Sequence, residues 1–216
     1  MSSLGVRRRF AAVSLALAGS LIALSACSGA EDPDADAAQS PSGSVSPSTS
    51  PSPTPTPSAT YKPASAEGPA ENVPLPVMPE EAKVESKEGL IAFARYWYEL
   101  ASYGYETGDI DPLKEISGPD CTACNGAYST LEKWYAGDNW AAGGQIEVTS
   151  AASEYALTES GDRQALVMFK QVPIDVYTPA GLQRTVGEGD TYVQLINANY
   201  VDGSWVAIDI VTMKQM

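Results

Sequence analysis

Few groups in this chain can do chemistry, and the set is bounded by an absence: its 216 residues include three cysteines and no histidine. Without an imidazole, Ser-His-Asp and Cys-His machinery and histidine-bound metals are excluded, leaving carboxylates, tyrosines and lysines as acids and bases. Cys121 and Cys124 form a Cys-x-x-Cys pair. Such a pair serves as a local disulfide in an oxidising compartment, or as a redox couple whose thiolate a helix N-terminus favours. Here it follows the loop Gly118-Pro119-Asp120 and no strand–helix–strand pattern frames it, so a structural bridge is expected and thiol-disulfide exchange is the lesser use. Closing so short a loop removes few unfolded conformations, and the bridge would pin the start of a helix. Two cysteines without histidine do not fill a tetrahedral zinc site, and neither metal nor cofactor is expected.

Cys27 has a different context. Arg7, Arg8 and Arg9 precede an apolar run over 10–23, and the small residues of Leu24-Ser25-Ala26 stand directly before the cysteine. This is the layout of an export signal, and the cysteine makes it resemble a bacterial lipobox, whose thiol takes a diacylglyceryl group and becomes the first mature residue. The apolar run contains Ser14, Gly19 and Ser20 and falls short of the roughly 20 residues that span a bilayer. Two acyl chains supply the double signal that stable anchoring needs. The expectation is a signal peptide over 1–26, lipidation at Cys27 and a chain held on the extracytoplasmic face of the cell membrane.

Among acids and bases, Asp209, Asp175 and Tyr192 fall on segments that read as strands. Asp209 is out of phase with Val206, Ile208 and Ile210 and is expected to point away from their face. Tyr96, Trp97, Tyr98 and Tyr105 fall on one helical segment and are the candidate lining of a ligand pocket, although aromatics at helical spacing also build a core and its rim.

Composition bounds the partners. Asp and Glu number 27 against 13 Lys and Arg, a net charge of −14, and loss of the three signal arginines leaves the mature chain more acidic still. Such a surface repels phosphate backbones, so no nucleic-acid partner is expected. Residues 27–70, dense in Ser, Pro and Thr over 40–58, read as a disordered stalk with polyproline reach of about 3.1 Å per residue. Residues 71–216 have the size of one domain.

The elements that must position these groups follow from periodicity. Leu90, Phe93, Trp97, Leu100, Ala101 and Gly104 recur at spacings of three and four and predict a long helix, capped by Ser86 and ending near Gly108. Asp111-Pro112 opens a short second helix. Tyr128, Leu131 and Trp134 mark a third, starting near Cys124 and stopped by Gly137. After Gly144 strands take over. Ile146 and Val148 are out of phase with Tyr155 and Leu157, which predicts a bulge near 151–154. Residues 165–176 predict a long central strand interrupted at Pro173. Residues 192–201 and 205–213 predict two more, joined by an Asp202-Gly203 turn. The expected fold class is α+β, with N-terminal helices, one of them long, packed on a curved antiparallel four-strand sheet.

The stretch Pro76-Val77-Met78-Pro79-Glu80-Glu81-Ala82-Lys83, then Gly89-Leu90-Ile91-Ala92-Phe93, Arg95-Tyr96-Trp97-Tyr98, Thr107-Gly108-Asp109 and Cys121-Thr122-Ala123-Cys124, resembles an uncharacterised family of actinobacterial lipoproteins. That family has no assigned activity. More broadly, a long helix closing on Thr107-Gly108-Asp109, short helices and then a curved sheet is similar to the nuclear-transport-factor-2-like (NTF2-like), or cystatin-like, cone. The likeness implies a concave site, and related cones include isomerases and cyclases that use an Asp or Tyr; fold analogy alone says little about chemistry. The expected function is a membrane-anchored, non-catalytic binding or interaction module at the cell envelope, its partner an envelope protein, a glycan or a small ligand. The alternative is a small extracytoplasmic enzyme of isomerase or cyclase type using a carboxylate or tyrosine in the cone.

Overall fold

The computed structural model describes residues 59–215 apart from Glu188. Cys27, the signal segment and stalk residues 27–58 lie outside the described residues. Within them a 3-10 turn (Glu80–Lys83) precedes three α-helices, α1 (Lys87–Thr107), α2 (Asp111–Glu115) and α3 (Thr122–Trp134). Seven strands follow: β1 (Trp140–Gly143), β2 (Ile146–Ala152), β3 (Arg163–Gln171), β4 (Ile174–Thr178), β5 (Gly181–Val186), β6 (Thr191–Val201) and β7 (Ser204–Gln215). They form two antiparallel sheets, ordered β1-β4-β5 and β2-β3-β6-β7. The expected architecture, N-terminal helices on one four-strand sheet in an NTF2-like or cystatin-like cone, is overturned: strands in two sheets make up most of the regular structure.

The reason lies at one joint. Residues 165–176 read as one strand, but Pro173 has no N–H to give to a ladder and β3 stops at Gln171. Opposite it, Gly143 and Gly144 take φ of +87° and +81°. Gly143 passes so close to Pro173 that a Cβ there would stand 2.1 Å from the Pro173 carbonyl oxygen. Both partners therefore break at the same level. β2 pairs with β3 before the joint, β1 pairs with β4 beyond it, and Val172 N donates to Gln145 O (3.0 Å) between them. One long ribbon is bent into two sheets. The arms of the smaller sheet leave little trace in the sequence: β1 is only Trp-Ala-Ala-Gly, and five of the six residues of β5 are exposed, so neither shows an apolar period. The bulge in β2 falls between Val148 and Ser150, upstream of the expected place, and Leu157 is held by an isolated bridge to Arg163.

α1 is the most buried element. Ser86 Oγ accepts the Gly89 amide (2.9 Å) and starts it; Gly108, at φ +76° beneath the Tyr135 ring, stops it. Leu90, Phe93, Tyr98 and Leu100 are at most 1 % exposed, each contributing roughly 1.5–3 kcal/mol by burial. Phe93 meets Trp205 of β7 at 6.5 Å between ring centroids, and Tyr98 meets Phe169 of β3 at 4.8 Å. Residues 59–70, which composition assigns to the stalk, have fixed pairing: Lys62 bridges Glu71 and Ser65 bridges Gly68. From this hairpin Tyr61 donates to the buried Glu106 carboxylate on α1, a bond that pushes the Tyr61 phenol up to about 12.

The joint makes a clear prediction. Gly143→Ala should cost about 3 kcal/mol or more, because the left-handed backbone penalty adds to the carbonyl collision. Gly137→Ala, also at positive φ (+67°) but in open space, should cost only about 1 kcal/mol. Urea denaturation of the two variants decides; equal losses would mean that the joint tolerates a side chain.

Candidate functional site

α1, α3 and the inner face of the larger sheet do not close fully on one another. Between them lies a cleft of about 290 Å³, at the small end of the range for ligand pockets. Helical spacing puts Trp97, Tyr98, Ala101 and Tyr105 on one face of α1, and Cys124, Tyr128 and Leu131 on one face of α3. Strand alternation brings Phe169 and Gln171 of β3, and Tyr192 and Gln194 of β6, to the facing wall. The aromatics form a continuous path: Trp97 is edge-on to Tyr98 (5.0 Å), Tyr98 meets Phe169, and Phe169 stacks on Tyr192 (5.2 Å, 17° between planes).

Among the described residues, none that lines this cleft is an aspartate, glutamate, lysine or arginine. Its polar groups are phenols and amides. Tyr98 Oη donates to Gln194 Oε1 (2.7 Å), and Gln194 Nε2 donates on to Thr212 Oγ1 (2.9 Å). Gln171 Nε2 donates to Gly144 O (3.3 Å), and Tyr192 Oη to Asp190 Oδ2 (3.3 Å). Burial pushes the Tyr98 phenol well above the usual range, and burial first of all raises Tyr105, Tyr128 and Tyr192. These phenols stay protonated at neutral pH, which makes them hydrogen-bond donors and poor bases.

Of the residues singled out from sequence, Trp97, Tyr98, Tyr105 and Tyr192 line the cleft. Tyr96 does not: it is buried, and its phenol is raised by burial and then by the charges of Glu99 and Glu115. Asp175 sits on β4 in the smaller sheet and accepts from Thr185 Oγ1 (2.6 Å). Asp209 pairs across the ladder with Asn197 and does not reach the cleft. The buried carboxylate Glu106 also lies outside the lining, bound to Tyr61. Cys121 and Cys124 are joined in a disulfide, and Cys121 caps α3, its Sγ accepting the Cys124 amide (3.3 Å). Both residues are at most 1 % exposed. Tyr128, Gln171 and Gln194 are the polar cleft residues that sequence reasoning missed. Tyr128 is visible there only as a member of an apolar helical stripe.

A family model matches residues 59–210, and the chain belongs to that family, a family of unknown function (DUF6318). No curated protein matches the chain. Among solved structures it is similar to the intermembrane space region of the chloroplast protein ARC6, at 11 % identity and a TM-score of 0.40, over 60 % of this chain and 97 % of that one. It is also similar to Aln2 from a Streptomyces species, at 10 % identity and 0.36, over 60 % and 92 %. A third is a putative calcium/calmodulin dependent protein kinase II association domain from Xanthomonas campestris, at 9 % and 0.34, over 65 % and 95 %. At such scores the likenesses carry no functional argument.

The buried phenols set the pH dependence. Because the folded state raises the Tyr98 pKa above its ordinary value of 10.0, the stability it contributes is complete below about pH 10 and is lost as pH rises through the folded pKa. With no histidine, stability should be flat from about pH 6 to 9 and fall above 10. Tyr98→Phe, which removes the Gln194 bond, should cost about 1 kcal/mol at pH 7, and its deficit against the parent should shrink above pH 10. A deficit that widened instead, in thermal melts across this range, would mean that the fold lowers the Tyr98 pKa.

Proposed function

We propose that the folded part is a non-catalytic binding module held at the outer face of the cell membrane by lipid on Cys27, and that the cleft between α1, α3 and the larger sheet is where it takes a small ligand. The observation that carries this reading is the cleft's chemistry: an aromatic, uncharged lining with its polar groups already oriented by bonds within the protein. Such a surface gains by burying an apolar ligand and loses by burying a charge. The isomerase or cyclase alternative asks for a carboxylate or an ionisable phenol at the reacting atoms, and the cleft offers no carboxylate and only phenols whose pKa burial raises. The lipid anchor rests on Arg7 to Arg9, the apolar run and Leu24-Ser25-Ala26-Cys27.

Two measurements test it. A photo-crosslinking residue in place of Ala123, which is exposed and lines the cleft, should capture a low-mass adduct in intact cells, whereas the same residue at Gly137 should not. Capture of a protein alone would contradict a small ligand. For the anchor, an alkyne-tagged fatty acid fed to cells should label the parent and leave Cys27→Ala unlabelled and released from membranes; a labelled Cys27→Ala would remove the anchor from the proposal.

A further inference from the structure

The larger sheet has a second face. Val167, Phe169 and Ile196 are buried on the helix side, so strand alternation turns the residues between them outward. Register lines these up in rows across the strands. Leu166, Leu195 and Val211 stand abreast on β3, β6 and β7, and Met168 and Val193 form the next row, which Lys214 ends. Leu166, Met168, Val211 and Met213, which the register skips, keep 38–57 % of their surface exposed. Polar rows close the patch at both ends, Gln164, Asn197 and Asp209 beyond Leu166, and Glu147, Lys170 and Thr191 beyond Met168. An apolar centre inside a polar rim is the anatomy of an interface, and contiguous apolar patches of this kind mark binding surfaces.

We propose that this face is the contact surface for a second copy of the chain, the two larger sheets packed face to face about a two-fold axis. It lies opposite the cleft and is independent of it. Charge favours a like partner here. The chain as a whole carries −14, so its copies repel one another over most of their surface, yet the rows of this face balance, with Glu147 and Asp209 against Lys170 and Lys214. Lys170 and Asp209 lie at opposite ends, which selects the axis as well. An axis along the strands sets Lys170 on the Lys170 end of the other copy; an axis across them sets it on the Asp209 end, with the apolar rows stacked between. Sheets packed this way lie about 10 Å apart, their strands inclined by about 30°. Four strands about 4.8 Å apart and about six residues long make a flat area on the order of 400 Å², against roughly 800 Å² per partner in a standard interface, so the dimer is a weak one.

Analytical ultracentrifugation of the full chain carrying Cys27→Ala, so that lipid does not assemble it, tests this. Between about 1 and 200 µM the parent should pass from monomer to dimer with a Kd of about 10 µM. Leu166→Glu, which puts a charge at the centre of the patch, should raise that Kd about tenfold or more. Lys170→Glu and Asp209→Lys should each raise it about fivefold, and the two together should return it to near the parent's value, because reversing both ends of a self-paired face restores the match. Both are rim positions, so these variants decide the matter even where Leu166→Glu weakens the fold. A parent that stays monomeric throughout, as it would if the face received a different protein, overturns the proposal. So does a dimer that Leu166→Glu leaves as tight as before. A double variant no tighter than the single ones overturns the pairing of opposite ends.

Discussion

The close approach of Gly143 to the Pro173 carbonyl is the contact on which the rest of the domain depends. A Cβ at that position has no room, and Pro173 has no N–H with which to continue β3 into β4, so the two long strands break together and the ribbon turns. The same joint is tied to α1. Gly144 sits where a Cβ would lie 3.0 Å from the Cβ of Tyr105, and Ile146 N donates to Ser102 Oγ on the same helix (3.1 Å). The bend is therefore fixed relative to the helix whose aromatic face it meets. Steric exclusion is the cause, and the two-sheet architecture is its consequence.

That coupling explains why a cleft survives next to so well filled a core. Gln171, the last residue of β3 before the break, donates to Gly144 O and lines the cleft, so the joint supplies part of the wall. On the other side α3 is tied to the larger sheet just before its start, where Gly118 N donates to Ala207 O of β7 (2.6 Å), and to α1 at its end by Tyr135, whose hydroxyl donates to Tyr105 O (2.8 Å). A helix restrained at both ends is not free to settle onto the sheet. The aromatics that face each other across the gap are stiff, with few side-chain torsions to rearrange. The gap is thus a product of restraints on its borders.

Local elements were legible where one residue had one strong reason to be there. Ser86 before an apolar stripe marks the start of α1, Gly108 its end, and Asp202-Gly203 the β6–β7 turn, where both residues have positive φ. The sheet arrangement was not legible, because a proline inside an apolar run reads equally as an interruption and as a change of sheet. The difference was written only in the facing pair Gly143-Gly144, about thirty residues away, and a periodicity argument does not look across a ribbon. Cleft membership was partly legible for the same kind of reason. Tyr98 and Tyr105 share a helical face with Trp97, but Tyr96 lies on another side of the helix, and one residue of α1 turns a side chain by about 100°. Tyr128 could not be separated from core by sequence, since it belongs to the same apolar helical stripe as Leu131 and Trp134.

The two sheets also meet different neighbours. The larger sheet forms the cleft wall and buries Val167, Ile196 and Ala207 against the helices. The smaller one has an almost wholly exposed outer strand, β5, and its use is at the other end of the domain: Trp140 of β1 stacks on Tyr177 of β4 (5.4 Å) and donates its indole N–H to Ser65 O (2.8 Å) in the first hairpin. Tyr61 in the same hairpin binds Glu106 on α1. Residues 59–72 are therefore fixed at two places, on the smaller sheet through Trp140 and on the last turn of α1 through Glu106, so this hairpin closes the domain at the end away from the β6–β7 turn's indole contacts and belongs to the folded unit.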